Sequence, residues 1–363
     1  MGNNKRRVVL DETKPLRVAL LGLGRVAFKL EDDPLRNKPC THFGAWSALP
    51  HVEIVAACDL DEEARDVFHT CVPSARFYSD YQQMFMEETL DAVSICAYAD
   101  LRRDMVVAAA ESGVKGIWCE KAMASSLNEA DDIAKALSDN DSRMIVSFMR
   151  RWSPSFHDAL ARIKAGEIGR LQTMNLHFSG NFVHTGTHGF DILGMFAGNA
   201  VGVQGWLESE GVDVKDSGYA FGSRGNDDIG GNGVVFYENG VKAFIHGQRK
   251  NYFRFELELL GEDGMIRIGN TQYELWLRRA SKAHSGFYDL FKEPLSPLSK
   301  KSTWLNAVEN LVATMHDHAS PLAGVEQGKE ALAVALAMHE SHRQGHRYVA
   351  LADVDPELRI VSR

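Results

Sequence analysis

Residues 16–27 read LRVALLGLGRVA, a short apolar run that ends in glycine and opens a helix-like segment. The run has the length and composition of a strand buried on both faces. Gly22, Gly24 and Ala27 make the pattern G-x-G-x-x-A, an accepted form of the dinucleotide fingerprint. Gly22 suits a tight turn, Gly24 lets a pyrophosphate approach the backbone, and Ala27 is small where the helix packs on the strand. Arg25 and Val26 lie in the same cofactor-binding turn, and the N-terminus of the helix that follows is expected to face the phosphates with its free N–H groups.

Four further apolar runs follow: VEIVAACD (52–59), DAVSICA (91–97), GIWCE (116–120) and RMIVSF (143–148). Helix-like stretches at 61–70, 80–87, 101–113 and 126–139 separate them. This alternation predicts right-handed parallel βαβ units, with ligands at the C-terminal ends of the strands. Asp59 ends the second run, where a carboxylate can bind the adenosine ribose hydroxyls and repel a 2′-phosphate, so NAD is expected over NADP. Asp59 follows Gly24 by 35 residues, against roughly 20 in the usual pattern. The extra length lies in LEDDPLRNKPCTHFGAW (30–46), read as an insertion before or within the first crossover helix. Glu120 and Lys121 close the fourth run and therefore stand at the ligand edge.

The second half changes character. A helix is expected at 154–166, then period-2 runs typical of a half-buried sheet, including SGYAFGS (217–223) and VVFYENGVKAFIH (234–246). Asn239-Gly240 between two such runs is a strong hairpin signal. Helices are expected at 304–319 and 324–345, and the polar stretch 278–302 reads as a loop. The fold class is thus an α/β Rossmann domain followed by an α+β domain with a large, mostly antiparallel open sheet. The expected divisions are a flexible extension (1–14), an NAD-binding domain (15–148) and a substrate-binding and oligomerisation domain (149–363). The free face of the second sheet calls for cover by helices or another subunit.

A chain of 363 residues suits two domains. Its net charge of −9 argues against a nucleic-acid partner, which would select a basic face. Cys58, Cys96 and Cys119 fall in apolar runs and read as buried thiols of a reducing compartment. No apolar run reaches the length of a membrane span, and the N-terminus lacks the apolar core of a signal peptide, so the expectation is a cytoplasmic protein with no membrane partner.

Several segments together carry a resemblance: ALLGLGRVA, AACD, GVKGIWCEKAMASSLNEADDI, VSFMRRWSPSF, GTHGFDIL and GVEQGKEALAVALAMHESHRQG. From about Leu16 to Leu351 the chain resembles the Gfo/Idh/MocA family, of the glucose-fructose oxidoreductase and inositol dehydrogenase type. The resemblance implies an NAD- or NADP-dependent dehydrogenase of a sugar, cyclitol or derivative. It assigns Lys121 to the substrate hydroxyl, Glu120 to the site beside the cofactor, His188 to acid/base work with the lysine, and Asp191 to substrate. The chemistry is consistent: oxidising a secondary alcohol sends a hydride to nicotinamide and a proton to a base within hydrogen-bond range. A lysine can serve as that base once partial burial and a neighbouring positive charge lower its pKa.

His184, His188 and Asp191 are spaced by four and three residues, so a helix there puts them on one face. His184 is a substrate candidate or a satisfied structural histidine. The His-x-x-x-His pair has no evident third ligand, and no metal is expected. In RRWSP (150–154), Arg151 could meet a cofactor phosphate or substrate anion and Trp152 could stack on a ring, or either could pack the hinge.

The chain departs from the family pattern at three places. Ala122 stands where proline is usual, and since a cis bond before alanine costs about 3–4 kcal/mol, trans is expected unless neighbours force it. His184 stands where an aspartate is common. Ala97-Tyr98 replaces Thr-Pro, making both residues candidates for the nicotinamide pocket, and Arg102 occupies a usual histidine position unless it is a helix-surface charge. The resulting expectation is an NAD-dependent oxidoreductase acting on a secondary alcohol of a sugar, cyclitol or nucleotide sugar, assembled as a homodimer or homotetramer. The alternatives are a non-catalytic NAD- or sugar-binding sensor and an NAD-recycling hydrolase or lyase.

Overall fold

The computed structural model describes residues 14–208, 228–248 and 252–362. The expected N-terminal extension, apart from Lys14, and the run SGYAFGS lie outside the described residues. The chain forms two compact units, the first made of residues 1–124, 128–152 and 301–326 and the second of the remainder.

The first unit holds six strands, β1 (Leu16–Leu21), β2 (Val52–Cys58), β3 (Arg76–Tyr78), β4 (Ala92–Ile95), β5 (Gly116–Cys119) and β6 (Arg143–Val146). All neighbours are parallel, in the order β3-β2-β1-β4-β5-β6. Val18 through Leu21 are fully buried, as a sheet covered on both faces requires. β3 is a three-residue edge strand, too short to announce itself by periodicity. The helices are α1 (His42–Ser47), α2 (Glu62–Cys71), α3 (Tyr81–Glu87), α4 (Ala99–Glu111) and α5 (Leu127–Asn140). Asp61 and Asp80 start α2 and α3 as N-caps, each accepting a backbone N–H two residues on.

The expected insertion falls within the first crossover helix. Its opening turn forms at Gly24–Phe28, where the Phe28 amide donates to the Gly24 carbonyl at 3.1 Å. The chain then leaves the helix and returns at α1. His42 N–H donates to the Val26 carbonyl at 3.1 Å and Phe43 N–H to the Ala27 carbonyl at 2.9 Å. In an unbroken helix those acceptors would serve residues 30 and 31, so α1 resumes the same helix after twelve extra residues, 29–40. Without these twelve, the 35-residue separation of Gly24 and Asp59 becomes 23, close to the usual ~20. The helix behind the glycine turn is therefore a single turn before the insertion splits it.

The excursion is tied at its base. The Glu31 carboxylate accepts from Cys40 N–H at 3.0 Å and the Thr41 hydroxyl at 2.5 Å. Lys38 Nζ donates to the Asp33 carbonyl at 2.8 Å. Thr41 caps α1 by accepting from Gly44 N–H. Ser302, the N-cap of a helix from the C-terminal part of the chain, donates to the Pro39 carbonyl at 2.6 Å.

The second unit contains α6 (Pro154–Lys164), β7 (Leu171–Ser179), α7 (Thr187–Ala197), β8 (Ala200–Leu207), β9 (Gly231–Tyr237), β10 (Lys242–Gln248), β11 (Phe255–Gly261), β12 (Gly264–Gly269), β13 (Tyr273–Ala280) and β14 (Tyr288–Glu293). The returning segment of the first unit is α8 (Thr303–Met315), and the second unit ends with α9 (Val325–Arg343) and β15 (Val349–Ala350). The nine strands run β14-β13-β12-β11-β7-β10-β9-β8-β15, with only β7 and β10 parallel. Gly240, at φ +83°, makes the turn of the β9–β10 hairpin. Met174, Leu176, Phe178, Val235, Ala243 and Ile245 point to the buried face. Asn175, His177, Phe244 and His246 alternate with them on the other. Gly189 of α7 lies against Leu176, and Gly205 and Gly233 lie against Met338 of α9.

The expected loop at 278–302 instead contains the end of β13 and all of β14. Tyr288, Asp289 and Leu290 are exposed, so this edge strand has no buried face to impose an alternating pattern. Among the described residues, no helix is long and apolar enough to cross a membrane.

Gly22 is the tightest backbone position of the first turn. Its φ is +82°, and an added Cβ would lie 3.0 Å from Ala97 N and 3.1 Å from Cys96 C, both backbone atoms. Gly22→Ala is expected to destabilise the fold by at least about 1–2 kcal/mol, the cost of left-handed geometry alone. Urea denaturation checks this, and an unchanged midpoint contradicts it.

Candidate active site

The C-terminal ends of β1, β2, β4 and β5 form one edge of the first sheet. β1 delivers Gly22 to Ala27. The Cβ position of Gly24 has no heavy atom within 4 Å, so a ligand can approach its backbone directly. Gly24 and Arg25 are exposed, Val26 is half-buried and Ala27 is buried. β2 delivers Asp59, whose carboxylate accepts from Leu23 N–H at 2.5 Å and Asp61 N–H at 3.0 Å. The acid is thereby held against the glycine turn. This arrangement fits a dinucleotide, with an open backbone at the phosphate position and a fixed carboxylate at the ribose position.

β4 leads into Ala97 and Tyr98. Ala97 is half-buried, and Tyr98 precedes α4 with its ring 46% exposed. Arg102 is not a helix-surface charge: it is buried, donating from Nε to the Ala97 carbonyl at 2.9 Å and from Nη1 to the Ala122 carbonyl. The Lys121–Ala122 peptide is cis, where local preference predicts trans. The Ala122 carbonyl on its far side accepts from the Arg102 guanidinium.

β5 delivers Glu120 and Lys121. Glu120 is 5% exposed, and Lys121 is half-buried. Glu120 Oε1 lies 3.2 Å from His42 Nε2, and Oε2 accepts from Lys121 N–H at 3.3 Å. His42 Nδ1 lies 3.0 Å from Ser94 Oγ, which also accepts from Trp46 Nε1–H at 2.9 Å. Burial pushes the Glu120 carboxyl up. The His42 hydrogen bond and nearby positive groups, Lys121 and Arg102 among them, outweigh this and hold it well below the usual carboxylate range. Burial carries His42 below the usual imidazole range, more than Glu120 lifts it. Sequence reasoning missed His42, which lies just after the insertion, inside the stretch 30–46 that reads as inserted, with no motif around it.

Arg151 is half-buried and its N–H donates to the Phe148 carbonyl at 2.8 Å. Trp152 takes the packing alternative: it is 3% exposed, its indole N–H donates to Asn310 of α8 at 3.2 Å, and its carbonyl accepts from Asn306.

In the second unit, His184 lies in a widened, π-helical turn (Phe182–Gly186) that runs directly into α7. His188 and Asp191 lie one turn apart on α7, with His188 half-buried and Asp191 buried. His184 Nδ1 is 3.2 Å from Thr185 Oγ1. The turn is anchored by Asp228, a second residue missed from sequence. Its carboxylate accepts from Val183 N–H at 2.9 Å, His184 N–H at 2.8 Å and the Ser362 hydroxyl at 2.7 Å. Asp228 caps this helix start as an N-cap side chain would, but from a distant part of the chain. Among the described residues, no three His, Cys, Asp or Glu side chains cluster as a metal site.

Residues 16–148 match the family model described as "Oxidoreductase family, NAD-binding Rossmann fold" of the Gfo/Idh/MocA group. Among curated proteins, the chain is 25% identical over 280 residues to scyllo-inositol 2-dehydrogenase (NAD(+)) of Bacillus subtilis, covering 71% of this chain and 75% of that one. It is 24% identical over 346 residues to D-apiose dehydrogenase of Paraburkholderia graminis, covering 88% and 89%. Among solved structures, the WlbA dehydrogenase from Bordetella pertussis, in complex with NADH and UDP-GlcNAcA, has the same fold. Its TM-score is 0.72 at 18% identity, covering 93% of this chain and 99% of that one.

Replacing Asp228 by alanine leaves two backbone N–H groups and a buried hydroxyl without this acceptor. Asp228→Ala is expected to cost about 2–4 kcal/mol of stability, since each orphaned buried donor costs about 1–3 kcal/mol. Chemical denaturation measures it, and a loss under about 1 kcal/mol would show that the carboxylate does not anchor the turn.

Proposed function

Since its first domain belongs to the Gfo/Idh/MocA oxidoreductase family and carries that family's NAD-binding Rossmann fold, we propose that this chain is an NAD-dependent dehydrogenase. The substrate is a secondary alcohol on a sugar, cyclitol or nucleotide sugar. The observation that carries the reading is the common edge of one parallel sheet. There the open glycine turn, the Asp59 carboxylate and the Glu120-Lys121 pair follow the C-terminal ends of β1, β2 and β5. Relatives named for D-apiose and scyllo-inositol support a polyhydroxylated substrate.

Bound NAD supplies the hydride acceptor. The backbone N–H groups of the turn from Gly24 to Val26 would hold its phosphates, Gly22 making the tight bend before them, and Asp59 would take the ribose hydroxyls. Because Asp59 is already held in place by Leu23 and Asp61, a 2′-phosphate would meet a fixed carboxylate, which favours NAD over NADP. Ala97 and Tyr98 border the nicotinamide end. Lys121 accepts the hydroxyl proton as the hydride leaves, and His188 shares that acid/base role. His184, Asp191 and Arg151 bind substrate. The second sheet presents Phe244 and His246 on its less buried face, and pairing of subunits over this face gives a homodimer or homotetramer.

Lys121→Met is expected to lower kcat/KM by about 10²–10⁴-fold, the usual worth of a general base, while NADH affinity stays within a few-fold. Steady-state kinetics across a polyol and sugar-nucleotide panel, paired with NADH fluorescence titration, measures both. Asp59→Ala is expected to weaken NADH binding by about tenfold and to narrow the preference for NADH over NADPH. Failure of the folded, nucleotide-free wild type to bind either cofactor would overturn the reading. Tight binding without hydride exchange would leave a sensor of the same fold.

A further inference from the structure

We propose that His42 is a positioning residue that fixes the Glu120 carboxylate and, through it, the backbone that presents Lys121. The inference rests on the dehydrogenase reading for its kinetic consequence but not for its geometry. His42 is the first residue of α1, fully buried, with its ring 4.1 Å from the Trp118 ring and 5.3 Å from that of Trp304. An imidazole so placed could be packing alone, but its two nitrogens are committed to different partners.

The protons can be assigned from those partners. Indole Nε1 is a donor only, so Trp46 donates to Ser94 Oγ. This leaves the Ser94 hydroxyl proton free to point at His42 Nδ1, 3.0 Å away. The Glu120 carboxylate accepts only, so the nitrogen facing it must carry hydrogen. The Glu120 end therefore requires hydrogen on Nε2, the Ser94 end can donate to a bare Nδ1, and full burial against the Trp118 and Trp304 rings favours the neutral imidazole, with its one hydrogen on Nε2. Ser147 Oγ, 3.4 Å from Nε2, can share that hydrogen as a second acceptor.

Glu120 then takes the Nε2–H on Oε1 and the Lys121 backbone N–H on Oε2. A carboxylate held at both oxygens fixes the start of the segment that carries Lys121. The charged or titratable groups around the pair are Arg102 from α4, Lys121 beside Glu120, Cys119 of β5, and Cys96 after β4.

The first test needs no substrate. In protein labelled with isotopic nitrogen in histidine, the His42 resonance is identified by its loss in His42→Gln. It should show the Nε2–H tautomer and no protonation between pH ~5 and ~8, across the usual imidazole range of about 6.5. An Nδ1–H tautomer, or titration near the ordinary value, overturns the assignment.

The second test is kinetic. His42→Phe keeps a ring and removes both nitrogens, while His42→Gln keeps an N–H donor toward Glu120. The phenylalanine variant should lose at least tenfold in kcat, with NADH affinity and substrate KM within about threefold of wild type, and glutamine should restore most of the loss. Glu120→Gln combined with His42→Phe should cost no more than the worse single variant, since both break one interaction. Equal losses in Phe and Gln that add to that of Glu120→Gln would make His42 a packing residue. A wild type that binds NADH yet turns over no substrate removes the dehydrogenase reading and leaves the resonance test to decide the geometry.

Discussion

A carboxylate as deeply buried as that of Glu120 must find partners, because desolvating it alone costs several kcal/mol. The first unit supplies them from separate parts of the chain. His42 arrives on α1, the Lys121 amide comes from the next residue, and Arg102 brings a positive charge from α4. α1 cannot shift without orphaning this charge. The pairing thus does two jobs. It registers α1 against the end of β5, and it leaves a negative charge beside Lys121. Whether such a pair adds net stability is secondary, since hydrophobic residues of the same volume often do as well. What they would not supply is a defined orientation at the edge where the strands end.

The split first helix follows from the same requirement. The insertion takes twelve residues out of the helix after one turn, yet α1 resumes on the very carbonyls that an uninterrupted chain would have used. Continuity in space is kept because both ends of the excursion are tied, by Glu31 to Cys40 and Thr41 and by Ser302 to Pro39. Had the helix resumed elsewhere, His42 and Trp46 would have lost Ser94. The first turn retains its phosphate-facing N–H groups. The insertion shortens the run of aligned peptide dipoles behind them, so local N–H groups count for more here than the macrodipole.

The parallel sheet was legible because strands buried on both faces read as continuous apolar runs, and the second sheet because its strands alternate. Legibility failed where those physical causes were missing. β3 spans three residues, and β14 has no buried face. The glycine turn, Asp59 and the Glu120-Lys121 edge could be placed because local spacing ties each to a strand end. His42 and Asp228 could not. Each acts on a partner far along the chain, 78 residues from His42 to Glu120 and 45 from Asp228 to Val183. Neither has a periodic pattern or turn signature of its own. Arg102 was legible as an oddity but not as a clamp, because its acceptors are backbone carbonyls that carry no side-chain identity.

Arg102 also joins two departures from the family pattern that look independent in sequence. One is Ala97-Tyr98 after β4, and the other is Ala122 after the Glu-Lys pair. The single guanidinium donates to the Ala97 carbonyl and to the Ala122 carbonyl, twenty residues apart from it on the latter side. A planar group with five fixed donors can bridge two backbone segments in this way, which the point charge of a lysine or the two nitrogens of a histidine cannot match. Arg102 is buried, and its positive charge is one of several that favour the charged form of the Glu120 carboxyl. The two positions that look independent in sequence are thus coupled through one side chain, which ties the backbone after β4 to the backbone after Lys121.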